Sequence, residues 1–332
     1  MTRVAVIGGG AWGTTLADLL ARKGEQVTIW AREPEVAAQI AREHVNGMFL
    51  PGCPLAPSLA ATTDLPTAMK GAEVVLSAAP SHAVRAVMTE ALAGVSSPPV
   101  IVSVSKGLEP ERLITLSCLL GEIAQGAPVA VLSGPTFALE VFRRQPTAAV
   151  AAAKDPALAR QVQSLFSTAT FRVYTHGDVT GVELGGALKN VIAVAAGMVD
   201  GLGFGFNTRA ALITRGLAEI TRLGLALGAE PMTLAGLAGL GDLILTATGS
   251  LSRNHALGVE LGKGKTLAQA LAGKQSVAEG VGTARTAVAL GERHQVDLPI
   301  ARQVAAILFE GKTARQAIAD LMEREPKPEQ WR

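Results

Sequence analysis

The chain has 332 residues, of which 48% are hydrophobic and 17% are charged, and its formal net charge is +2. This composition is typical of a protein with a large core and excludes a chain that is disordered throughout. The near-neutral charge excludes the broad basic surface that nucleic-acid binding requires, so we expect no nucleic-acid partner. The length suits two domains.

Cys53 and Cys118 are far apart and form no CxxC pair, which argues against a disulfide framework or a zinc site. The five histidines have no metal-like spacing, and we expect no metal. The N-terminal segment lacks the apolar region and cleavage site of a signal peptide. No uninterrupted apolar run reaches membrane-spanning length. We therefore expect a cytoplasmic protein that does not insert into membranes.

The first half of the chain alternates strand-like and helix-like segments. It begins with a strand over 3–8, a helix over 11–24 that Gly24 ends, and a strand over 26–30. Further strands are predicted at 73–79, 99–105, 128–133 and 147–153, with helices near 82–93, 111–124, 136–143 and 155–166. Such β-α-β repetition predicts a doubly wound, mainly parallel sheet that is covered on both faces.

The pattern changes after the strand-like segment FRVYTH, residues 171–176. Few β-branched runs follow it, and long segments rich in Ala, Leu and Gly continue towards the C-terminus. We predict an α/β domain over 1–178 and an all-α domain over 179–332. The last residues are expected to form a solvated tail.

Gly8, Gly10 and Gly13 form a G-x-G-x-x-G motif between the first strand and the first helix. This context is typical of a Rossmann-type dinucleotide site. The three glycines permit, in order, a tight turn, the approach of a pyrophosphate, and the packing of the helix on the strand. The free amides of the helix start would bind the phosphates. The alternative is a glycine-rich turn that serves packing alone.

The second strand ends in Trp-Ala-Arg-Glu, residues 30–33. An arginine at this position suits the 2′-phosphate of NADP, whereas an acidic residue suits the ribose hydroxyls of NAD. Arg32 therefore favours NADPH, with some tolerance of NADH, and Glu33 carries the competing interpretation. A solvated surface arginine is the remaining alternative.

Polar residues follow three other predicted strands, in the segments AAPSH (78–82), SVSKGLE (103–109) and SGPTFA (133–138). Ligands of such sheets lie beyond the carboxyl ends of the strands. Lys106 stands where a strand ends and a glycine turn begins, so we expect it at the crevice. Ser81 and Thr136 have the alternative role of helix N-caps.

Lys189 and Asn190 interrupt the small and apolar stretch GGALKNVIAVAAG, residues 185–197. Because burying a charge is costly, the lysine either extends to water or borders a functional cleft. Asp242 and Thr246, four residues apart, share one helical face and are the best partners for it. A helix cap is the alternative role of Asp242. Gly185, one turn before the lysine, would leave room for a substrate.

Ser252, Arg253 and Asn254 open another predicted helix. Ser252 suits an N-cap. Arg253 offers a planar fork for a phosphate, and Asn254 offers amide donors. The three residues predict a small anion site, far in sequence from the glycine-rich motif.

Together the motifs resemble those of the bacterial NAD(P)-dependent glycerol-3-phosphate dehydrogenases, in the same order and from residue 4 to about 312. The segments that match are GGGAWGT, PSH, SKGLE, SGPTFA, GGALKNVIA, GLGFGFNTRAALITRGLAE, AGLGDL, SRN and VAEG. The resemblance implies reversible reduction of dihydroxyacetone phosphate to sn-glycerol 3-phosphate by NADPH or NADH, for glycerophospholipid biosynthesis. It also implies a homodimer.

The resemblance further implies roles for individual residues. Lys189 would be the general acid and base, aided by Asp242 and Thr246, and Lys106 would contact substrate and cofactor. The implied substrate pocket comprises Lys106, Gly134, Thr136, Lys189, Asp242, Ser252, Arg253 and Asn254. The implied dinucleotide site comprises Gly8, Gly10, Ala11, Trp12, Gly13, Arg32, Phe49, Lys106, Ala138, Arg253, Val277 and Glu279.

The chain departs from the family pattern at a few positions. Ala11 often corresponds to a serine, and Ala278 and Gly282 replace larger or more polar residues beside Val277 and Glu279. Two other functions stay open on the residues alone. One is a related dehydrogenase of hydroxy acids, which could hold a carboxylate on Arg253. The other is a nicotinamide sensor without turnover, which would not need the buried lysine.

Overall fold

The computed structural model describes residues 1–95, 97–273, 278–326 and 328–329. Its strands are β1 Arg3–Ile7, β2 Gln26–Trp30, β3 Ala60–Thr62, β4 Val74–Ser77, β5 Val100–Ser103, β6 Leu108–Glu109, β7 Ile114–Thr115, β8 Val129–Ser133, β9 Thr147–Ala152 and β10 Phe171–His176. Eight of them form one sheet in the order β10-β9-β8-β5-β4-β1-β2-β3, and β6 and β7 form a short hairpin. The strand order reverses between β1 and β4, which is where such sheets bind their ligands.

The sheet is mainly parallel, as predicted, but its last two strands run the other way. β9 pairs with β8 in antiparallel register and with β10 in parallel register. The helix between β8 and β9 is α6, Ala138–Phe142, with only five residues. A helix this short cannot return the chain along the length of a strand, so a parallel crossover is not made.

Helices cover both faces of the sheet. Besides α6 they are α1 Ala11–Arg22, α2 Pro34–Glu43, α3 Leu65–Met69, α4 Val84–Leu92, α5 Leu116–Ile123 and α7 Pro156–Phe166, with a 3₁₀ turn at Ser81–Ala83. Along β1, Val4 and Val6 point into one core with α1, α2 and α7, whereas Ala5 and Ile7 point into the other with α3, α4 and α5. This alternation explains why the strands are apolar at nearly every position.

The second half of the chain is helical, as predicted. Its helices are α8 Val179–Gly201, α9 Phe206–Ala226, α10 Pro231–Leu234, α11 Asp242–Thr248, α12 Arg253–Gly262, α13 Leu267–Leu271, α14 Gly280–Arg293, α15 Pro299–Phe309 and α16 Ala314–Met322, with a π-helical turn at Leu237–Gly241. The last strand ends at His176 and α8 begins at Val179. The division of the chain at residue 178 into two domains stays a prediction.

Helix α8 is the centre of the helical half, and α12 packs closely along it. A Cβ on Gly197 would lie 2.0 Å from the His255 carbonyl oxygen, and one on Gly258 would lie 2.0 Å from the Val194 carbonyl oxygen. Only glycines permit this approach of the two backbones.

Two stretches, Val179–Gly201 and Pro231–Thr248, are long and apolar enough to cross a membrane, although the sequence analysis identified none. Both contain charged residues, which is why they do not read as uninterrupted apolar runs. The first is α8, whose most apolar 18-residue window is completely buried inside the protein, and the corresponding window of the second is 44% buried. The apolar character of α8 is therefore that of a core helix.

Candidate active site

The glycine-rich turn between β1 and α1 has the geometry that the motif predicts. Gly8 has a φ of +134°, and a Cβ on it would lie 2.7 Å from the carbonyl carbon of Ala78. A Cβ on Gly13 would lie 2.1 Å from the Gly8 carbonyl oxygen, so α1 approaches the turn closely only because no side chain intervenes. A Cβ on Gly10 would meet nothing within 4 Å. The backbone at Gly10 therefore borders an open cradle.

The start of α1 fits a bound diphosphate. Gly10 is the N-cap and has no side chain to occupy the free amides, and Ala11 is the first helical residue. Free amides and the positive end of the helix dipole both attract phosphate groups. The residues present thus fit the pyrophosphate of a nicotinamide dinucleotide, and their individual binding roles stay predictions.

Three further residues of the predicted dinucleotide site lie around the glycine-rich end of α1. Trp12 and Phe49 are half-buried and pack against the core that α1 shares with the sheet. The Nε1 atom of Trp12 has no hydrogen-bond partner among the residues that the structure describes. Ala138 begins α6, and its carbonyl accepts a 3.2 Å hydrogen bond from Thr15 Oγ1 of α1.

Arg32 and Glu33 follow β2, at the position that discriminates between NADP and NAD. The Arg32 side chain is 81% exposed, and its Nη2 lies 2.7 Å from Glu33 Oε1. The two competing candidates are thus paired with each other. Because an exposed pair of this kind contributes little free energy, it leaves Arg32 available to a phosphate.

Lys189 is buried in α8 and does not extend to water. Its side chain is 6% exposed, and Nζ lies 2.5 Å from Asp242 Oδ1 and 2.6 Å from Thr246 Oγ1. Asp242 begins α11, and Thr246 follows one turn later on the same face. The alternative in which Lys189 reaches solvent is therefore wrong. Asp242 is the charge partner of this lysine and caps no helix with its side chain.

Lys106 reaches the same carboxylate from the sheet half of the molecule. Its Nζ lies 2.7 Å from Asp242 Oδ2, 2.8 Å from the Gly134 carbonyl oxygen and 3.3 Å from Thr136 Oγ1. The Lys106 side chain is 17% exposed, whereas that of Asp242 is 1% exposed. The predicted residues thus converge, and Lys106 lies on the more open side of the cluster.

The space beside Lys189 is smaller than the sequence suggested. A Cβ on Gly185 would lie 2.6 Å from the Ala238 carbonyl oxygen, because the π-helical turn packs against α8 there. Gly185 therefore does not leave room for a substrate, and that expectation was wrong. A Cβ on the next residue, Gly186, would lie 2.8 Å from Ser133 Oγ. The paired glycines instead let the sheet and the π-helical turn approach α8.

The pKa of Lys189 is lowered from 10.5 to about 7. Burial has the largest effect, because it disfavours the charged ammonium. The Asp242 carboxylate opposes burial and raises the pKa, whereas the neighbouring Lys106 lowers it further. An amine with this pKa both releases and takes up a proton near neutral pH, as a general acid and base must.

The start of α12 carries the residues predicted to bind an anion. Ser252 is the N-cap, as predicted, and its hydroxyl accepts a 3.1 Å hydrogen bond from the His255 amide. Arg253 is exposed and makes no hydrogen bond or ion pair with any residue that the structure describes. Its guanidinium is therefore available to an anion.

Asn254 differs from the expectation, because its side chain is buried and engaged. Its Nδ2 donates to Asn190 Oδ1 at 2.9 Å, and its Oδ1 accepts the Gly280 amide at 2.9 Å. Asn254 thus joins α12 to α8, one residue beyond Lys189, and to the start of α14. One of its amide hydrogens therefore donates to Asn190, which leaves fewer donors for an anion than the sequence suggested.

Glu279 precedes α14 and contacts the sheet half of the molecule. Its Oε1 accepts the Ser81 amide at 3.1 Å, and its Oε2 accepts the Ser81 hydroxyl at 2.5 Å. Ser81 follows β4 in the sheet half of the molecule, and it is a partner of Glu279. It is not a helix N-cap, because the N-cap of the 3₁₀ turn is Pro80. Val277, the other residue predicted in this segment, lies outside the described residues.

Sequence reasoning missed two buried polar residues near the site. Glu183 is 7% exposed in α8, and it accepts the Ser117 amide at 2.8 Å and the Ser117 hydroxyl, at the start of α5. A carboxylate in so apolar a helix was the same kind of signal as Lys189. Asn46 is fully buried against the glycine-rich turn. Its partners at the turn, Gly9 and Thr14, are distant in sequence, so no local pattern predicts these bonds.

Within the described parts of the chain, no three His, Cys, Asp or Glu side chains converge as the ligands of a metal ion would. The site offers two lysines, a shared carboxylate and an arginine at the start of α12.

Two family models match the chain and together span most of it. One is described as the N-terminus of NAD-dependent glycerol-3-phosphate dehydrogenase and matches residues 3–159. The other is described as the C-terminus of the same enzyme and matches residues 178–319.

Curated relatives and solved structures agree with these matches. Proteins named glycerol-3-phosphate dehydrogenase [NAD(P)+] are 53% identical over 334 residues in Geobacter sulfurreducens and 51% identical over 330 residues in Myxococcus xanthus. These alignments cover 99% and 98% of both chains, respectively. The crystal structure of a glycerol-3-phosphate dehydrogenase from Coxiella burnetii superposes with a TM-score of 0.94 at 37% identity, over 97% of this chain and 99% of that one. This superposition confirms the predicted architecture of a Rossmann-type α/β half and a helical half. The chain belongs to the family of NAD-dependent glycerol-3-phosphate dehydrogenases.

Proposed function

We propose that this protein catalyses the reversible, NAD(P)-dependent reduction of dihydroxyacetone phosphate to sn-glycerol 3-phosphate, the precursor of glycerophospholipids. Membership of the family supports the reaction. The observation that carries the mechanism is the buried cluster of Lys189, Asp242 and Lys106, in which one lysine from each half of the molecule contacts the same carboxylate.

Lys189 is the proposed general acid and base. A lysine ammonium has three hydrogens, and two of them are directed at Asp242 Oδ1 and Thr246 Oγ1. The third is free to donate to the carbonyl oxygen of a ketone, which gains negative charge during reduction. The hydroxyl of Thr246 donates to the Asp242 carbonyl at 2.6 Å, so its lone pairs face the lysine. A bound NADPH or NADH supplies the hydride.

Lys106 is proposed to contact the substrate from the more exposed side of the cluster. It holds Asp242 Oδ2, and its longest hydrogen bond, 3.3 Å to Thr136 Oγ1, is the one most easily exchanged for a substrate oxygen. Its positive charge would help to stabilise the developing oxyanion. Gly134 and Thr136 would line the pocket beside it.

The substrate phosphate is proposed to bind Arg253 and the start of α12. Arg253 makes no ion pair with the described residues, and a guanidinium binds phosphate through two parallel hydrogen bonds. Ser252 caps the helix, and Asn254 fixes it to α8 beside Lys189. Binding energy from the phosphate would hold the small ketone in register with the lysine.

NADPH is proposed as the favoured dinucleotide, with Arg32 on its 2′-phosphate in place of the exposed contact with Glu33. We expect Arg32→Ala to raise the KM for NADPH about tenfold, as the loss of one charge-assisted hydrogen bond implies. The KM for NADH should change little, because NADH has no 2′-phosphate. Equal effects on both dinucleotides in steady-state assays would contradict this assignment.

We further propose a cytoplasmic homodimer that neither inserts into membranes nor binds nucleic acid. The burial of α8 argues against membrane insertion. The net charge of +2 argues against nucleic-acid binding. The oligomeric state can be measured by sedimentation or light scattering of the purified protein.

The deciding experiment is an NADPH-consumption assay with dihydroxyacetone phosphate, repeated with NADH and with small 2-keto acids. The proposal requires turnover of the phosphorylated ketone in preference to the keto acids. Preference for a keto acid would instead establish a hydroxy-acid dehydrogenase. Dinucleotide binding without turnover of any of these ketones would favour a nicotinamide sensor.

A further inference from the structure

We propose that Asn46 is a positioning residue for the dinucleotide, because it joins the loop that carries Phe49 to the glycine-rich turn. This inference rests on the proposed function, since it concerns the dinucleotide site. Asn46 follows α2 and is followed three residues later by Phe49.

The carboxamide of Asn46 bonds to both segments at once. Its Nδ2 donates to the Gly9 carbonyl and to Thr14 Oγ1, both at 2.8 Å. Its Oδ1 accepts the Phe49 amide at 3.0 Å. The hydroxyl of Thr14 in turn donates to the same Gly9 carbonyl at 3.2 Å. A side chain that makes all three bonds of Asn46 must offer two hydrogens on one atom and an acceptor beside it, as a primary amide does.

These hydrogen bonds are shielded from water. Asn46 and Thr14 are 0% exposed, and a buried polar group that loses its partner is destabilised more than an exposed one. The Gly9 carbonyl lies between Gly8, which makes the turn, and Gly10, which borders the open cradle. A displaced Gly9 peptide would therefore change the backbone on which the pyrophosphate is expected to rest.

The loop depends on Asn46 for its connection to the turn. Its later part is anchored independently, because Leu50, Leu55 and Leu59 are buried in the core. Among the described residues, Asn46 makes the hydrogen bonds that join residues 44–50 to residues 8–14. Without them Phe49 would keep its attachment to the core but lose its register with the glycine-rich turn.

The test measures NADPH binding and turnover separately. We expect Asn46→Ala to weaken NADPH binding about ten- to thirtyfold by fluorescence titration, as the loss of the two buried hydrogen bonds to the glycine-rich turn implies. Turnover at saturating NADPH should stay within about twofold of wild type, because Lys189 and Asp242 are untouched. In the dinucleotide-free protein, amides 44–50 should exchange with deuterium faster than in wild type.

A double-mutant cycle with Phe49→Ala tests the positioning role itself. If Asn46 acts by placing Phe49, the double variant should bind NADPH more tightly than the sum of the two single effects predicts, because the second substitution removes a contact that is already lost. Strict additivity would contradict a positioning role and would leave two independent contributions.

Leu223→Ala is the control for a general loss of stability, since Leu223 is 0% exposed in the helical half. It should lower the melting temperature and leave NADPH binding unchanged. If Asn46→Ala does not fold, Asn46→Thr preserves the volume and removes both amide hydrogens, and we expect the same weakening.

Wild-type NADPH affinity in either Asn46 variant would overturn the inference and leave the proposed function intact. Failure of the wild-type protein to reduce dihydroxyacetone phosphate would overturn the function. The binding measurements would still test Asn46 in that case.

Discussion

At the scale of single residues, Asp242 is the group on which the candidate site depends. Each of its oxygens accepts a hydrogen bond from a different lysine, and its side chain is 1% exposed. The carboxylate thus separates two ammonium groups that would otherwise repel each other in a place with little water. Removing Asp242 would leave two buried ammonium groups without a counter-charge, so its substitution should affect the chemical step strongly.

Lys189→Ala should reduce turnover by about a hundredfold or more, because it removes the general acid and base. Binding of NADPH should be preserved, since the glycine-rich turn does not contact this lysine. Steady-state kinetics and fluorescence titration measure the two effects. Lys154→Ala, at an exposed position, is the matched control and should behave as wild type. Turnover near the wild-type rate would contradict the assignment of Lys189.

The pH dependence of the two directions should be opposite. Ketone reduction requires the charged Lys189, which predominates below its pKa of about 7, so kcat/KM for reduction should fall as the pH rises through about 7. Alcohol oxidation requires the neutral amine, so its rate should rise over the same range. Profiles of kcat/KM from about pH 5 to about pH 9 test this.

Asp242→Asn refines the pH test. The carboxylate raises the pKa of Lys189, so its removal should move the falling limb of the reduction profile to lower pH. A limb at the wild-type position would show that another group controls the profile.

Arg253→Ala should abolish most of the preference for the phosphorylated ketone. A charge-assisted fork to phosphate contributes about 1.5–3 kcal/mol per bond, so kcat/KM for dihydroxyacetone phosphate should fall by about two orders of magnitude. The smaller rate with unphosphorylated dihydroxyacetone should change little. Arg302→Ala, which alters an exposed arginine of α15, is the control. An unchanged ratio between the two ketones would rule out Arg253 as the phosphate anchor.

At the scale of elements, the close packing of α8 against α12 sets the position of the anion site. Gly197 and Gly258 bring the two backbones together, and Arg253 stands at the start of the same α12 helix. A helix held this closely transmits small displacements along its axis, because packed interiors have little free volume. The position of the proposed phosphate site at the start of α12 therefore depends on glycines that do not themselves contact the substrate.

Gly258→Ala should destabilise the fold and weaken substrate binding together. Its Cβ would lie 2.0 Å from the Val194 carbonyl oxygen, so the helices must separate, which costs about 1–3 kcal/mol in unfolding free energy. Chemical denaturation and the KM for dihydroxyacetone phosphate measure the two effects. Gly282→Ala in α14 is the matched control, since its Cβ would meet nothing within 4 Å. That variant should be unchanged or more stable by up to about 1 kcal/mol. Similar stability of the two variants would contradict the packing argument.

Elements with strong periodicity were predictable from the sequence, and the short ones were not. The limits predicted for β1, α1 and β2 agree with the structure to within two residues. The sequence patterns predicted neither α2 nor β3 nor α3. The last two have only three and five residues. The ten residues of α2 bury only Val36, Ala37 and Ile40, which is a weak apolar stripe. The reversal of β9 and β10 follows from the length of α6, which composition does not reveal.

At the scale of the whole molecule, the candidate site forms where the two halves meet. Lys106 contacts Asp242, Ser81 contacts Glu279, and Ser117 contacts Glu183, and in each pair the first residue belongs to the sheet half.

The sequence identified Lys189, Asp242 and Thr246 as partners because charge inside an apolar helix demands a neutralising group. It could not reveal that Asn254 is spent on Asn190, since that depends on how three helices pack.

The burial of α8 from Gly181 to Val199 has a consequence for how the protein is made. Its cover includes α15, which begins at Pro299, 98 residues after α8 ends at Gly201. At translation rates of about 5–20 residues per second, this interval lasts about 5–20 s. Throughout this interval, the apolar α8 segment of 23 residues has been translated, but α15, which helps to cover it in the folded protein, has not. The nascent chain should therefore be a good client for chaperones that hold apolar segments, until the last helices are translated.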